Sequence, residues 1–388
     1  MFYSHKNIKY CYSCAMNIHV LSVDVYRVIG QYVSLKHLLI TCKLIYYTIR
    51  TDLIYIKLHN TNSIKYIEDD SYRTIILSQI NSSSFQLSLN YIDITMTDNI
   101  LQLFVQLHTL TLKSCINIVD VKCLGKIHTL TLNQCPGIVD VSGLGTVKVL
   151  SLEYCRNITD IKPLYKVPTL KIIKCLNIID ISSLCNVHTL TLCNIAVNLD
   201  PLGLGSVHSL SLHSIPNLVD LNFISRMYNI SSINNISNIS NIHTFVLYNC
   251  HDVVDLTPLR HVYSLELHQC NGISDISPLG NRSVNINGNI YGNIHTLLII
   301  NCPNVSDVTS LGLGPGSGKG SGVWGPGTLH TLKLSTCPNL IDVCTLSSLH
   351  TLSLLSCPKV VNVSNLGNIH TLFLYNCRGI VDVTALCT

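Results

Sequence analysis

Leucine and other aliphatic residues recur through most of this chain in a fixed frame, L-x-x-L-x-L-x-x-C-x-x-I-x-D-V-x-x-L. Its first full copy is Leu107, Leu110, Leu112, Cys115, Ile118, Asp120, Val121 and Leu124. The alternation at Leu110, Thr111 and Leu112 has the period of a short strand, whose side chains leave opposite faces. After the cysteine the chain turns, and Pro136-Gly137, Pro303-Asn304 and Pro338-Asn339 supply turn residues at that point. Ile118, Val121 and Leu124 return to the apolar side, and Gly125 or Gly145 helps the chain turn toward the next strand. Copies follow every 20 residues from Cys115 to Cys175, and the beat returns at Cys250, Cys270, Cys302, Cys337, Cys357 and Cys377. A period this strict specifies a solenoid, in which each coil packs only on its neighbours.

The expected class is an α/β solenoid of coils about 20 residues long, with parallel strands forming a concave sheet and a small helical module in front. Coils this short leave no room for a full helix on the back, so extended segments or 3₁₀ turns are expected there. About twelve coils, starting near residue 107, give a sheet roughly 60 Å long at 4.8 Å per strand.

Three polar ladders accompany the apolar frame. The cysteines at one repeat position read as small buried side chains with a weak thiol donor, not as disulfides or zinc ligands. The aspartates at Asp120, Asp140, Asp160, Asp180, Asp200, Asp220, Asp255, Asp275, Asp307, Asp342 and Asp382, with Asn362 in one coil, occupy a fixed turn. There a carboxylate accepts the backbone N–H two residues onward, which closes the same turn in every coil. Histidines such as His108, His128, His188 and His208 stand at the strand entrance, where Lys148, Pro168 and Tyr263 substitute for them. An edge or turn role follows, with a response to acid because neighbouring imidazoliums repel.

The repetition breaks at Ser225 to Ile242, around Val284 to Asn289, and at Gly312 to Gly327. The first two read as a degenerate coil or surface loop and a shortened coil. The third holds Gly314, Gly316, Gly318, Lys319 and Gly320, yet Leu313 and Gly320 stand where a phosphate loop needs Gly and Ser or Thr. It reads as a flexible loop that carries Trp324. Cys11 and Cys14 form a lone C-x-x-C with no second pair.

Composition narrows the function classes. Only 12% of the 388 residues are charged against 47% hydrophobic, and the net charge of +4 is dispersed, which argues against nucleic acid as the partner. Apolar runs are too short to span a bilayer and no secretory signal is visible, so a cytoplasmic location is expected. No paired acid and base and no oriented nucleophile stand out, so no catalysis, metal or cofactor is expected.

Specificity is left to residues that point away from the core. Between the inward strand positions the series runs Thr111, Thr131, Ser151, Lys171, Thr191, Ser211, Val246, Glu266, Leu298, Lys333, Ser353 and Phe373. At the strand end it runs Lys113, Asn133, Glu153, Ile173, Cys193, His213, Tyr248, His268, Ile300, Ser335, Leu355 and Tyr375. The candidate target-binding residues are Tyr248, His268, Leu355, Phe373 and Tyr375, because aromatic and apolar side chains make large desolvated anchors.

The front of the chain differs. Within residues 20–50, Ser22 or Asp24 is placed to cap a helix containing Val25, Val28, Ile29 and Tyr32, and a second helical pattern follows at Leu35, Leu38, Leu39, Cys42 and Ile45. Leu21, Asp24, Val25, Ile29, Tyr32, Val33, Leu38, Leu39, Cys42, Lys43 and Tyr46 together resemble an F-box, with Ser22 where the family has proline. With the C-x-x-I-x-D leucine-rich repeats behind it, the chain resembles F-box/leucine-rich-repeat proteins, including those of giant viruses of amoebae. The resemblance implies a substrate-recognition subunit of a cullin-type ubiquitin ligase, docking the adaptor through Leu21, Val25, Ile29, Leu38 and Leu39 and a target protein through the repeats. For a viral chain the location is then the host cytoplasm. The other reading is a non-enzymatic leucine-rich-repeat module without ligase association. The expected organisation is an F-box-like module over 1–50, irregular repeats or a cap over 51–106, and the solenoid over 107–388 with the glycine-rich loop at 312–327. Within 51–106, weak strand patterns fall at Ile56 to Leu58, Ile75 to Leu77 and Leu87 to Leu89.

Overall fold

Inward-facing aliphatic residues recur twice per strand, and in a computed structural model they build one parallel sheet of 14 strands. The structure describes residues 55–59, 61–78, 86–92 and 97–386, except 106, 185, 225–241 and 313–328 and most of 196–206 and 281–293. The F-box-like segment, with Leu21, Val25, Ile29, Leu38 and Leu39, and the glycine-rich loop beyond Gly312 lie outside the described residues.

Strands β1 (Tyr55–His59) and β2 (Gln86–Ile92) start the sheet, separated by helices α1 (Thr61–Glu68) and α2 (Asp70–Ser78). The apolar triplet Ile75 to Leu77, expected as a strand, lies in α2. The Asp69 carboxylate accepts the Tyr72 N–H at 3.0 Å, a bond that stabilises a helix start. The Arg73 guanidinium donates to the Tyr66 and Ile67 carbonyls at the end of α1. Helix α3 (Asp98–Leu101) then leads into the regular coils.

The next strands are β3 (Thr109–Lys113), β4 (Thr129–Asn133), β5 (Val149–Glu153), β6 (Thr169–Ile173), β7 (Thr189–Cys193) and β8 (Ser209–His213). Strands β9 (Thr244–Tyr248) and β10 (Ser264–His268) follow, and after an interruption β13 (Thr296–Ile300), β14 (Thr331–Ser335), β15 (Thr351–Leu355) and β16 (Thr371–Tyr375) complete the sheet. The interruption contains β11 (Ser283–Val284) paired antiparallel with β12 (Ile290–Tyr291), outside the main sheet, in place of the expected shortened coil. From β3 onward each strand pairs in register with the next, so equivalent residues stack in columns.

The back of the coils corrects the α/β expectation. Among the described residues it consists of 3₁₀ turns such as Lys122–Lys126, Lys162–Lys166 and Cys344–Ser348, plus short helical turns at 222–224 and at α4 (Ser277–Gly280), so the repeats form a parallel all-β solenoid. Each turn is closed by a backbone bond such as Leu124 N–H to the Val121 carbonyl at 3.0 Å. These turns stack so tightly that a Cβ on Gly125 would collide with the Gly143 carbonyl oxygen.

Seven residues per coil fill the core. In the first regular coil Leu107, Leu110, Leu112, Cys115, Ile118, Val121 and Leu124 are all buried. The cysteine sits where the chain bends, and its thiol donates to two carbonyls. Cys155 reaches the Glu153 carbonyl at 3.5 Å and, one coil back, the Leu132 carbonyl at 3.5 Å. All the described cysteines are free thiols. The residue just before the ladder position takes a left-handed backbone in every coil from Ser114 (φ 59°) to Asn376 (φ 52°), although none of these residues is glycine.

Extra chain enters the solenoid at a single joint, between the back turn and the next strand. A thiol-to-carbonyl bond that spans 23 residues in regular coils spans 38 from Cys250 to Leu212. It spans 35 from Cys302 to Leu267 and 38 from Cys337 to Ile299. The sheet stays in register across all three.

Candidate docking face

Because strands alternate, the residues between the inward leucines all leave the opposite face of the sheet, and in-register pairing turns them into two parallel rows. On the strand-end row, Cys193, His213, Tyr248, His268 and Ile300 are consecutive neighbours. The Tyr248 ring stacks between His213, with ring centres 5.4 Å apart, and His268, at 5.9 Å. Glu266 Oε2 lies 3.0 Å from His268 Nε2. His213 and His268 are both half-buried. Burial first, then the nearby Lys171 ammonium and His268, lower the pKa of His213 below the ordinary histidine value, which favours its neutral ring.

Toward β4 the face becomes a polar network centred on Glu153. Its carboxylate accepts the Asn133 side-chain N–H at 2.6 Å and the Ser151 hydroxyl at 2.9 Å, and Lys171 Nζ lies 3.9 Å away. Toward β16 it turns apolar, with Leu298 and Ile300 on β13, Leu355 on β15, and Phe373 and Tyr375 on β16.

The five candidate residues fall into two groups. Tyr248 and His268 share one stack, and Leu355 is the in-register neighbour of Tyr375 with Phe373 on the same strand. Strands β13 and β14 separate β10 from β15, so His268 and Leu355, the facing members of the two groups, lie about 14 Å apart at 4.8 Å per strand. Phe373 and Tyr375 are 58% and 69% exposed, Tyr248 is 37% exposed, and His268 and Leu355 are half-buried. His213, Lys171 and Glu153 were in the outward series without being singled out. Glu153 and His213 share the strand-end column of Tyr248, and Lys171 stands in the row beside it; that stacking was the signal that joins them.

The strand-entrance histidines form a separate array at the opposite end of the strands. Their rings stack from His188 through His208, His243, Tyr263, His295, His330 and His350 to His370, with centres 4.3 to 4.9 Å apart. His108 and His128 make a further pair at 4.3 Å. The following threonine hydroxyl meets Nδ1, as in His128 and Thr129 at 3.1 Å. The aspartate ladder closes the turn anticipated for it, with the Asp255 carboxylate accepting the Thr257 N–H at 2.8 Å and Asn362 accepting that of Ser364 at 3.0 Å. Among the described residues no group of three or more His, Cys, Asp or Glu side chains is placed to hold a metal ion, and no helix is long and apolar enough to cross a membrane.

Frame, strands and back turns together define a leucine-rich-repeat type of parallel solenoid. No family model and no curated protein sequence matches the chain. Among solved structures it is similar to the functional domain of InlJ from Listeria monocytogenes, described as including a cysteine ladder, at 14% identity and a TM-score of 0.33. That similarity covers 75% of this chain and 56% of the other, so the chain spans little more than half the length of that domain. A leucine-rich-repeat protein of Leptospira interrogans shows 13% identity and a TM-score of 0.35, over 83% of this chain and 88% of that one. The leucine-rich-repeat domain of the type III effector XopL shows 14% identity and a TM-score of 0.34, over 80% and 95%.

Proposed function

We propose that the chain is a non-enzymatic protein-binding module that holds a partner against the outward face of its sheet. The observation that carries this reading is the continuous His213–Tyr248–His268 stack in a face whose inward positions barely vary. Rigid, partly exposed aromatic rings give contact area at low entropic cost, and the polar network around Glu153 adds directional hydrogen bonds at the other end. Affinity enrichment with the wild-type chain and with a folded Tyr248→Ser, His268→Ser, Phe373→Ser, Tyr375→Ser variant tests it. Proteins retained by the wild type are lost from the variant. Equal retention rejects this face as the docking surface.

The narrower proposal, a substrate receptor of a cullin-type ubiquitin ligase, rests on the F-box resemblance of Leu21 to Tyr46. Such a receptor needs no catalytic group, since it acts by bringing its target near the ligase. The full chain then binds the ligase adaptor, and Leu38→Glu with Leu39→Glu abolishes binding while capture by the sheet face persists. Absence of adaptor binding by the folded wild type leaves the general module alone standing.

A further inference from the structure

One lane of the solenoid surface is apolar without belonging to the core or to the sheet face. It occupies the repeat position between the buried Ile and the turn aspartate, where Val119, Val139, Ile179, Val219, Val254 and Ile341 are each more than half exposed. The lane runs on to the last coil and is interrupted by Thr159, Ser274 and Ser306. All the apolar members named are β-branched, so their rotamers are already restricted and little side-chain entropy is lost when they are covered. Exposed aliphatics that recur at one repeat position line up along one flank of the stacked coils in short runs, which scattered surface hydrophobics do not.

The adjoining position supplies a second lane, of carboxylates. Asp120, Asp140, Asp180, Asp220, Asp255 and Asp342 each follow an aliphatic member directly and are exposed. Bonds from the N–H and side chain two residues onward hold Asp140, Asp180, Asp255 and Asp342 below the usual carboxylate range, so the lane is anionic at neutral pH. Its members repel one another, since Asp307 acts to raise the pKa of Asp342. Lysines stand beside this row at two places: Lys122 Nζ is 3.3 Å from Asp140, and the Lys162 ammonium helps to lower the pKa of Asp180.

From these two lanes we propose that this flank is a second docking surface, fitted to a basic amphipathic helix of a partner protein. The chemistry sets the charge, because lysine or arginine beside an apolar stripe meets both lanes at once. Spacing sets the helix. A helix turn rises about 5.4 Å and a coil of the solenoid about 4.8 Å, so one turn matches one coil and three turns drift by less than about 2 Å. An extended segment repeats its facing side chains about every 6.6 Å and falls out of step within two coils.

The test uses three synthetic helical peptides of four turns against the full chain: an Ile stripe flanked by Lys, the same peptide with Glu for Lys, and one with Ser for Ile. Only the Ile and Lys peptide binds, and Val139→Ser with Ile179→Ser and Val219→Ser weakens it at least tenfold. These are exposed positions, and circular dichroism with thermal melting confirms that the variant folds. Tyr248→Ser with Phe373→Ser leaves this binding unchanged, so failure here is separable from failure of the sheet-face reading. Equal binding of the Glu peptide, or no effect of the lane substitutions, overturns the proposal. It is overturned equally if sedimentation shows that the wild type self-associates and the lane variant is monomeric, for then the lane is covered by a second copy.

Discussion

The Cys155 thiol donates to the carbonyl of Leu132, 23 residues earlier in the sequence and one coil away, at 3.5 Å. Hydrogen bonding to the next thiol, Cys175, and then burial push Cys155 well above the ordinary thiol range. The sulfur is therefore an inert donor that ties a bend to its neighbour. Cys155→Ala removes that donor and leaves a small void, and the expected loss is about 1–3 kcal/mol in urea denaturation. An unchanged midpoint would mean that the ladder only fills space.

The same burial makes a chemical prediction. Half-exposed Cys193, on the sheet face, is alkylated by iodoacetamide before Cys155 and Cys175 when native protein is sampled by peptide mass spectrometry. Early labelling of the buried pair would show that the coils open locally.

Acid acts on the histidine and aspartate ladders in separate ranges. His108, His208, His330 and His350 have pKa values below the usual 6.5, from burial first and then from neighbouring imidazoles, so folding favours their neutral form. Their contribution is complete above the unfolded value and declines as pH falls below about 7, before the carboxylates respond. Asp140, Asp180 and Asp382 are held below 3.8, so their contribution is present above that value and is lost as pH falls through their folded pKa values. Melting temperature against pH should fall in two steps, and His208→Asn with His350→Asn should reduce only the first. A single step near pH 4 would assign all the acid sensitivity to the carboxylates.

Thr336 adopts φ 54° although it is β-branched, a costly conformation for such a side chain. Asn occupies the same place at Asn249, Asn301 and Asn376, and its short polar side chain tolerates this region better. Thr336→Asn is expected to raise stability by about 0.5–1 kcal/mol in urea denaturation, a part of the left-handed backbone cost that Asn lessens. A loss would mean that the threonine makes a compensating contact.

The inward frame was readable because burial leaves a period in the sequence, and Asp120 was readable because its partner is two residues away. The left-handed residue before each cysteine was not. Ser114, Gln134, Tyr154 and Lys174 share no side-chain chemistry, and their backbone is imposed by the stacking of coils. The triplet Ile75 to Leu77 suits strand or helix, and the Asp69 cap that distinguishes them lies six residues upstream. The division of the candidate face into two groups needed the pairing of β10 with β13, which no local pattern announces.

The direct pairing of β8 with β9, β10 with β13 and β13 with β14 makes the coil a closed unit with one seam. Chain length at that seam is decoupled from the geometry of the sheet, so insertions there alter what the protein displays while the spacing of every row is kept. The same seam in an uninterrupted coil, between Lys166 and Val167, is thus a natural splice point at which a foreign peptide can be carried without retuning the scaffold.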